Sequence, residues 1–417
     1  MSNDSVSVTS SSSFGSRITS ALFGVLIAPI ALIAGSGLLL WNEGRTVKVA
    51  QSLDEGERQV ISVPAEKIDP ANNGKLVYVT GETAVADTLR DEKLGVAEPA
   101  IKLRRVVEMY QWTEKKESKR RNNKTVTTYE YTKKWVEGVE GSTDFHKRSG
   151  HENPGYIPLG SHDEVADKVT LGAFTLDTLQ VAMTDKPDNR QPRAITAEEF
   201  AAMPEEIRRD AEQRGGELYM PVDKWLPHAP KDRINSSFTD SVVAGETNEP
   251  QVGDVRIKFT VVKPGPTTVV AQQTATGFEA FNTKAGSPVN LLRAKTLPPH
   301  EMFELARSDN TFWAWVLRGV GVGVIFAGFM FLMGPLTALS EWIPLLGNLV
   351  SGGVFLIALA GTIVLGSIVI ATAWLFYHPV FAIAIIAVAL FLAGGLWYLF
   401  RRKPKPLQHS SGLEIVS

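Results

Sequence analysis

The side chains best suited to chemistry in this sequence are three histidines and an aspartate in one short stretch. They are His146, His151, His162 and Asp163. Imidazole and carboxylate groups are ordinary metal ligands, but this spacing fits no standard zinc pattern. The sequence also contains no GxSxG elbow, Walker loop or HExxH motif. We therefore predict that the protein is not an enzyme and that it uses no metal and no cofactor.

The average composition resembles that of a soluble protein, but the residues are unevenly distributed. Charged residues make up 21% of the 417 residues, and the formal net charge is -2. Residues 42–311 supply nearly all of the polar side chains, whereas long apolar segments lie on either side. Cysteine is absent, which excludes disulfides, thiolate nucleophiles and sulfur-ligated metals.

Four apolar segments are each long enough to cross a bilayer, which takes about 20 helical residues. The predicted transmembrane helices are residues 18–41, 312–333, 351–377 and 380–400. We therefore predict a membrane α-helical protein with one N-terminal and three C-terminal transmembrane helices. A large β-rich α+β domain, residues 42–311, is expected between the first and second spans, on the extracytoplasmic side.

Basic residues after the last span predict the orientation in the membrane. They are Arg401, Arg402, Lys403 and Lys405. Because basic residues that flank spans stay in the cytoplasm, both termini are expected there and the large domain in a periplasm or lumen. We predict a disordered cytoplasmic tail at 1–17, an interfacial loop at 334–350 and a basic cytoplasmic tail at 401–417.

One charged residue, Arg318, is predicted inside a span. We interpret it as an anchor whose long side chain reaches the headgroups. A functional intramembrane ion pair is the alternative, although the four predicted spans contain no acidic partner. On the same helix, Gly319, Gly323 and Ala327 recur every four residues, which predicts a helix-packing face.

Within the large domain, β-branched and aromatic residues predict several strands. The predicted strands are residues 101–112, 127–135, 254–263 and 267–281. Residues 115–124 are predicted as a charged loop, either a solvated hairpin tip or a contact with anionic headgroups. This loop has no aromatic residues for base stacking, so no nucleic-acid partner is expected. Residues 197–214 suit a helix that Pro204 must start or kink.

Seven short blocks in order along the chain resemble the LUMA (transmembrane protein 43) family of envelope membrane proteins. The blocks are Trp41-Asn42-Glu43-Gly44-Arg45, Gly74-Lys75-Leu76-Val77, Val107-Glu108-Met109-Tyr110-Gln111-Trp112, Gly150-His151-Glu152-Asn153-Pro154, Val252-Gly253-Asp254-Val255-Arg256, Trp315-Val316-Leu317-Arg318 and Trp374-Leu375-Phe376-Tyr377. The resemblance implies a lumenal or periplasmic domain between the first and second spans. It also implies self-association and the organisation of membrane protein complexes, which in eukaryotic members include emerin and lamins.

The same blocks have plain physical interpretations. Trp41 suits the membrane interface, Gly44 would permit a sharp exit from the first span, and Arg45 would pair with a lipid phosphate. Because strand residues alternate between faces, Glu108 is not part of a ready-made acid–base pair with Gln111. We interpret the blocks as signatures of fold and membrane junction rather than of a reactive site.

These observations lead to one main hypothesis and two alternatives. The protein is expected to be an integral membrane scaffold that self-associates and maintains the envelope, with lipids, itself and other membrane or envelope proteins as partners. The alternatives are a channel or transporter subunit and a hydrolase acting on envelope material. Alanine-rich spans and the lack of cysteine favour a bacterial inner membrane; a eukaryotic member would lie in the endoplasmic reticulum or inner nuclear membrane.

Overall fold

The computed structural model describes residues 4–10, 14–121, 124–239, 249–340 and 344–377. The chain divides into two units. A domain unit contains Met1–Arg17 and Lys48–Asn310, and a helical unit contains Ile18–Val47 and Thr311–Ser417. Nearly all of the predicted large domain, Lys48–Asn310, therefore lies in one compact unit.

The helices are α1 (Phe14–Gln59), α2 (Thr178–Thr184), α3 (Ala197–Ala202), α4 (Glu205–Asp210), α5 (Val222–Trp225), α6 (Ser236–Thr239), α7 (Pro299–Leu332), α8 (Gly334–Ser340) and α9 (Pro344–Tyr377). The strands are β1 (Asp4–Ser10), β2 (Ile61–Ser62), β3 (Leu76–Val85), β4 (Leu89–Arg90), β5 (Ala97–Glu98), β6 (Lys102–Arg121), β7 (Lys124–Glu137), β8 (His162–Val165), β9 (Val169–Leu171), β10 (Phe174–Thr175), β11 (Arg190–Arg193), β12 (Glu212–Arg214), β13 (Glu217–Met220), β14 (Val255–Val262), β15 (Pro266–Gln273), β16 (Phe278–Glu279), β17 (Phe281–Asn282), β18 (Pro288–Val289) and β19 (Leu291–Arg293).

Within the described residues, three helices are long and apolar enough to cross a membrane. They are Thr19–Gln59, Pro299–Leu332 and Gly352–Tyr377. The predicted fourth span, 380–400, and the predicted basic tail, 401–417, lie outside the described residues. The combination of membrane helices with a β-rich domain is confirmed.

The region predicted as an interfacial loop, 334–350, is helical where it is described. Helix α8 covers Gly334–Ser340, and α9 begins at Pro344. Proline is well placed at the first turn of a helix, where its missing N–H would have no partner in any case. The third apolar helix therefore begins several residues before its predicted start.

The domain contains two principal sheets with a shared core. The eight-stranded sheet has the order β1-β7-β6-β14-β13-β12, with β8 paired to β6 and β11 to β14. The seven-stranded sheet has the order β10-β9-β3-β15-β16, with β2 on β3 and β19 on β15. Val79 of β3, Val107 of β6 and Phe259 of β14 lie in one buried apolar cluster. The inward-facing residues of both sheets thus exclude water together.

The strands β6 and β7 form a hairpin that is longer than predicted. Strand β6 continues to Arg121 and β7 begins at Lys124, so the described residues of the predicted charged loop, 115–121 and 124, lie within strands. Cross-strand contacts explain the extension: Ser118 Oγ lies 3.1 Å from Thr127 Oγ1, and Lys116 lies over the Tyr129 ring. Such pairs stabilise an antiparallel ladder even where both faces carry polar residues.

The predicted disordered tail is also wrong in part, because residues 4–10 form strand β1. This strand pairs antiparallel with β7, with Asp4 opposite Tyr131 and Ser10 opposite Thr125. Val6, Val8 and Thr9 favour an extended backbone, and the edge of β7 supplies hydrogen-bonding groups. The Ser-rich composition concealed this alternation.

A connection between the sheets and one predicted helix complete the description of the domain. Strands β14 and β15 belong to different sheets, which the segment Lys263-Pro264-Gly265 connects. The predicted helix 197–214 is interrupted at Pro204, which separates α3 from α4, and it ends before β12. Proline cannot continue a helix because its ring clashes with the preceding turn.

The first helix extends far beyond the predicted end of its span. Helix α1 continues to Gln59, and its residues up to Val47 belong to the helical unit. Inside the domain unit, Leu53 of α1 lies in one buried cluster with Phe303 of α7 and Val270 of β15. The domain ends of these two helices are thereby fixed to the seven-stranded sheet.

Candidate functional site

Helices α1 and α7 pack against each other in antiparallel fashion through small residues. A Cβ atom at Gly35 would lie 2.8 Å from Ile325 Cγ1, and one at Gly321 would lie 2.7 Å from Leu39 Cδ2. Only glycine permits so close an approach of the two helices. Along α7 the buried residues Ala314, Gly321, Ile325 and Gly328 follow the three-and-four spacing of a helix seam.

The seam does not use the packing face predicted from the sequence. Gly319 and Gly323 are exposed, and no described residue would lie within 4 Å of a Cβ atom at either position. Ala327 is only partly buried. A shift of two residues turns a helix by about 200°, so the seam at Gly321 lies away from the predicted face. At Gly319 and Gly323 this face has open space among the described residues.

Beside this seam, Glu43 of α1 and Arg318 of α7 form a two-point ion pair. Arg318 Nε lies 2.5 Å from Glu43 Oε1, and Arg318 Nη2 lies 2.8 Å from Glu43 Oε2. Trp374 Nε1 of α9 donates to Glu43 Oε2 at 3.2 Å. Only 3% of the Glu43 side chain is exposed, so the pair needs these contacts to offset the loss of hydration.

This arrangement corrects the prediction that Arg318 has no acidic partner. Glu43 follows the apolar run and lies outside the predicted span 18–41, but α1 continues through it as a helix. Because α1 and α7 are antiparallel, the end of the apolar run in α1 lies beside the beginning of the apolar run in α7. The sequence held one usable signal: Glu43 and Arg318 each lie two or three residues after a tryptophan, Trp41 or Trp315.

The neighbouring residues of the first family block are also explained by helix contacts. Asn42 is fully buried, and its Nδ2 donates to the Ala314 carbonyl at 3.1 Å. Gly44 lies within α1, so the predicted sharp exit is wrong; a side chain there would overlap the Tyr377 hydroxyl. Arg45 Nε and Nη2 are buried and have no hydrogen-bond partner within the described residues. Its pairing with lipid phosphate stays a prediction.

Exposed aromatic side chains lie on the same helix turns as this cluster. Trp41, Trp315 and Trp374 are 58%, 66% and 36% exposed, respectively. Tryptophan concentrates at the membrane–water interface because its ring is apolar and its N–H is polar. Tryptophans beside the Glu43–Arg318 pair are typical of helix ends near a membrane surface, where a paired charge is tolerated.

In the domain unit, two other family blocks meet around Asp254. Tyr110 N donates to the Asp254 carbonyl and Gly253 N donates to the Tyr110 carbonyl, each at 2.8 Å. The Asp254 carboxylate accepts from Val222 N at 2.8 Å and also from the Tyr219 hydroxyl. Burial raises the pKa of Tyr219, and its hydrogen bond to the carboxylate adds to that effect. Gly253 has φ +99°, a conformation that favours glycine.

A second junction lies around Asn153 and His151. The buried Asn153 amide accepts from Trp112 N at 2.8 Å and donates to the Trp112 carbonyl at 2.9 Å, so it acts as a strand neighbour. The Pro154 carbonyl accepts from Asn235 N at 2.8 Å. His151 stacks on Tyr131 with ring centroids 4.0 Å apart and meets the edge of Trp112 at 4.6 Å. These residues attach the loop that contains His151 and Asn153 to the β6–β7 hairpin.

Glu108 is paired with two cations across the sheet. Arg256 Nε lies 2.6 Å and Lys258 Nζ lies 2.9 Å from Glu108 Oε2. Burial alone would raise the pKa of Glu108, but the hydrogen bonds from Lys258 and Arg256 outweigh it and the pKa is lowered. Glu108 is therefore a charged structural bridge.

The candidate metal ligands are dispersed among separate contacts. His146 stacks on Tyr129, His162 pairs with Glu164 at 2.8 Å, and Asp163 pairs with Lys102 at 2.8 Å. Across the described part of the chain, no three or more His, Asp or Glu side chains converge as metal ligands. The contacts of these residues connect neighbouring elements of the domain.

The fold and these junctions define a multi-pass membrane protein that also contains a large β-rich domain. The family model described as transmembrane protein 43 matches residues 109–379. The chain is 30% identical to Transmembrane protein 43 of Homo sapiens over 92% of each chain, and 30% identical to that of Pongo abelii over 90% of each. The Drosophila melanogaster homolog is 28% identical over 91% of this chain and 93% of its own.

The chain therefore belongs to the transmembrane protein 43 family, as the sequence blocks predicted. No solved structure shows significant similarity to it.

Proposed function

We propose that the protein is a non-enzymatic membrane scaffold that self-associates through its helices and presents the β-rich domain to partner proteins. The observation that supports this most directly is that Glu43, Glu108 and Asp254, the acidic residues of three family blocks, each bind donors inside the fold. Such residues maintain the fold and leave the exposed hairpin and helix faces for association.

We also propose the complete topology. Residues 380–400 form a fourth span, both termini are cytoplasmic, and the domain lies in the periplasm or lumen. The bacterial inner membrane is our proposed location, based on the alanine-rich spans and the absence of cysteine. The relatives compared above are animal proteins, and their membranes are eukaryotic. Localisation of a fluorescent fusion of this protein to a eukaryotic nuclear envelope would contradict the proposed bacterial location.

The helix face around Gly319 and Gly323 is the proposed site of self-association. Both glycines are exposed, and no described residue approaches the space that a side chain would take. Small residues four apart let a second helix come close, so a second copy can pack there. Residues 380–400 of the same chain are the competing occupant.

Co-purification of two differently tagged copies tests the proposal. Gly319→Leu with Gly323→Leu is expected to reduce co-purification of the second tag at least about tenfold, as loss of close helix contact predicts. Gly352→Leu in α9 is the matched control, since that glycine is also exposed and uncrowded. Monomeric wild-type protein would refute self-association, and unchanged co-purification of the double variant would refute this face.

The channel alternative has no observation in its favour. Arg318 was the residue that suggested an ion path, and its pairing with Glu43 supplies a structural reason for its presence. Conductance of the purified protein in liposomes, abolished by Arg318→Ala, would nevertheless support a channel and count against the scaffold.

A further inference from the structure

Strand β1 is attached to the edge of β7 mainly through its backbone. The two strands pair over Asp4–Ser10, but five of the seven β1 residues are exposed. Ser7 Oγ contacts Thr128 Oγ1 at 3.1 Å across the ladder. Because backbone pairing is independent of sequence, this edge can accept other extended segments.

Lys147 and His151 bind a carboxylate at one end of this edge, and we call these two residues the anchor. Asp4 Oδ2 lies 2.8 Å from Lys147 Nζ and 3.1 Å from His151 Nε2. His151 is only 2% exposed; it is stacked on Tyr131, and its Nδ1 lies 3.0 Å from the Lys147 carbonyl. The anchor is therefore held in place by the domain itself, whichever segment supplies the carboxylate.

The position of β1 in the chain limits which segment can pair with the edge of β7 when the protein is inserted in a membrane. Residues 4–10 precede the apolar run 18–41 of α1, whereas the other described strands of the domain follow it. If that run crosses the bilayer, as in the topology proposed above, β1 and β7 belong to different compartments. The same holds for β1 of every other copy in that membrane.

We propose that the outer edge of β7 is a strand-addition site for an extended peptide of a partner protein in the domain's compartment. The peptide carries an acidic residue that binds Lys147 and His151, followed by small or β-branched residues that continue along Thr125–Tyr131. β1 shows the chemistry that fits: Asp-Ser-Val-Ser-Val-Thr-Ser. This inference rests on the proposed crossing of α1.

Cross-linking in lipid nanodiscs, which leave both membrane faces accessible, tests the two steps separately. The chain has no native cysteine, so Ser7→Cys with Thr128→Cys creates one possible disulfide across the ladder. We expect no disulfide within the chain under oxidising conditions. Its formation would show that β1 fills its own edge, and it would overturn both the topology and the open site.

A synthetic peptide of residues 4–10 with cysteine in place of Ser7 then probes the edge in trans. It is expected to form a mixed disulfide with the Thr128→Cys protein and not with Thr127→Cys, because neighbouring strand residues face opposite sides. Absence of that adduct, with no disulfide within the chain, would overturn the strand-addition site and leave the topology intact.

The anchor is tested with variants on each side. A peptide with Asp4→Asn is expected to label Thr128→Cys about tenfold less, as loss of a charge-assisted hydrogen bond predicts. Lys147→Ala in the protein should reduce labelling similarly, and this side chain is 43% exposed, so the fold tolerates the change. Equal labelling by both peptides would contradict recognition of a carboxylate.

Discussion

At the scale of single residues, Glu43 shows how a buried charge can connect helices. It receives two hydrogen bonds from Arg318 and one from Trp374, so one carboxylate joins α1, α7 and α9. Removing the carboxylate charge leaves Arg318, whose side chain is only 20% exposed, without its ion-pair partner, and loss of such a pair typically destabilises a protein by about 3 kcal/mol. We expect Glu43→Gln to cause that loss, measured by thermal unfolding in nanodiscs.

The double variant Glu43→Gln with Arg318→Gln is the control for this interpretation. It removes both charges together, so it should unfold at a higher temperature than Glu43→Gln alone. A double variant that is less stable than the single variant would mean that Arg318 acts through a contact other than Glu43.

Glu108 gives a prediction about pH. Burial alone would raise its pKa, but the hydrogen bonds with Lys258 and Arg256 outweigh that effect, so its pKa in the fold lies below the ordinary value of 4.5. The unfolded chain therefore takes up the proton first, and the contribution to stability is complete above the unfolded pKa. It is lost as the pH falls below 4.5 through the folded pKa. Glu108→Gln should flatten this acid decline.

Urea unfolding at a series of pH values measures the effect of Glu108→Gln. Glu98, Asp185 and Glu199 also have lowered pKa values, so the variant is expected to remove only part of the slope. Glu206→Gln, an exposed change on α4, is the control. An acid decline identical in wild type and Glu108→Gln would contradict the bridge.

At the scale of elements, two glycines on α7 separate the observed seam from the predicted face. Gly321→Leu would place its side chain against Leu39 and push α1 away, at a cost of about 1–3 kcal/mol or more. Gly323→Leu has open space and should leave the thermal stability of monomeric protein nearly unchanged. Unfolding of the two variants in detergent compares them directly, and equal stability would contradict the seam.

The elements also show what a sequence can and cannot predict. Hydropathy predicted the three described membrane helices because each exceeds the bilayer thickness, and residue types predicted the central strands. Hydropathy could not predict that α1 continues to Gln59, because the last turns of α1 contact the domain through Leu53 and such tertiary contacts are not visible in hydropathy. The sequence could not identify which face of α7 contacts α1, because glycines occur on more than one face of this helix and only the folded partner selects one of them.

At the scale of the whole molecule, family blocks far apart in sequence gather at separate junctions. Glu43, Arg318 and Trp374 meet in the helical unit, whereas Tyr110 and Asp254 meet in the domain unit. The order of the blocks in the sequence predicted the family. It could not show which blocks lie close together in space, and only the folded structure shows that. Because these side chains join elements within one unit, we expect substitutions of them to affect folding of that unit before they affect binding at the surface.

The topology is the prediction on which the function of the whole molecule depends. Single cysteines at Ser118, Ser236 and Ser410 would be the only thiols in the chain. With both termini cytoplasmic, a membrane-impermeant maleimide should label the first two in intact spheroplasts and the third only after permeabilisation, because long loops translocate and basic tails do not. Labelling of Ser410 alone would place the domain in the cytoplasm. The partners of the domain, and any peptide on the edge of β7, would then have to be cytoplasmic proteins.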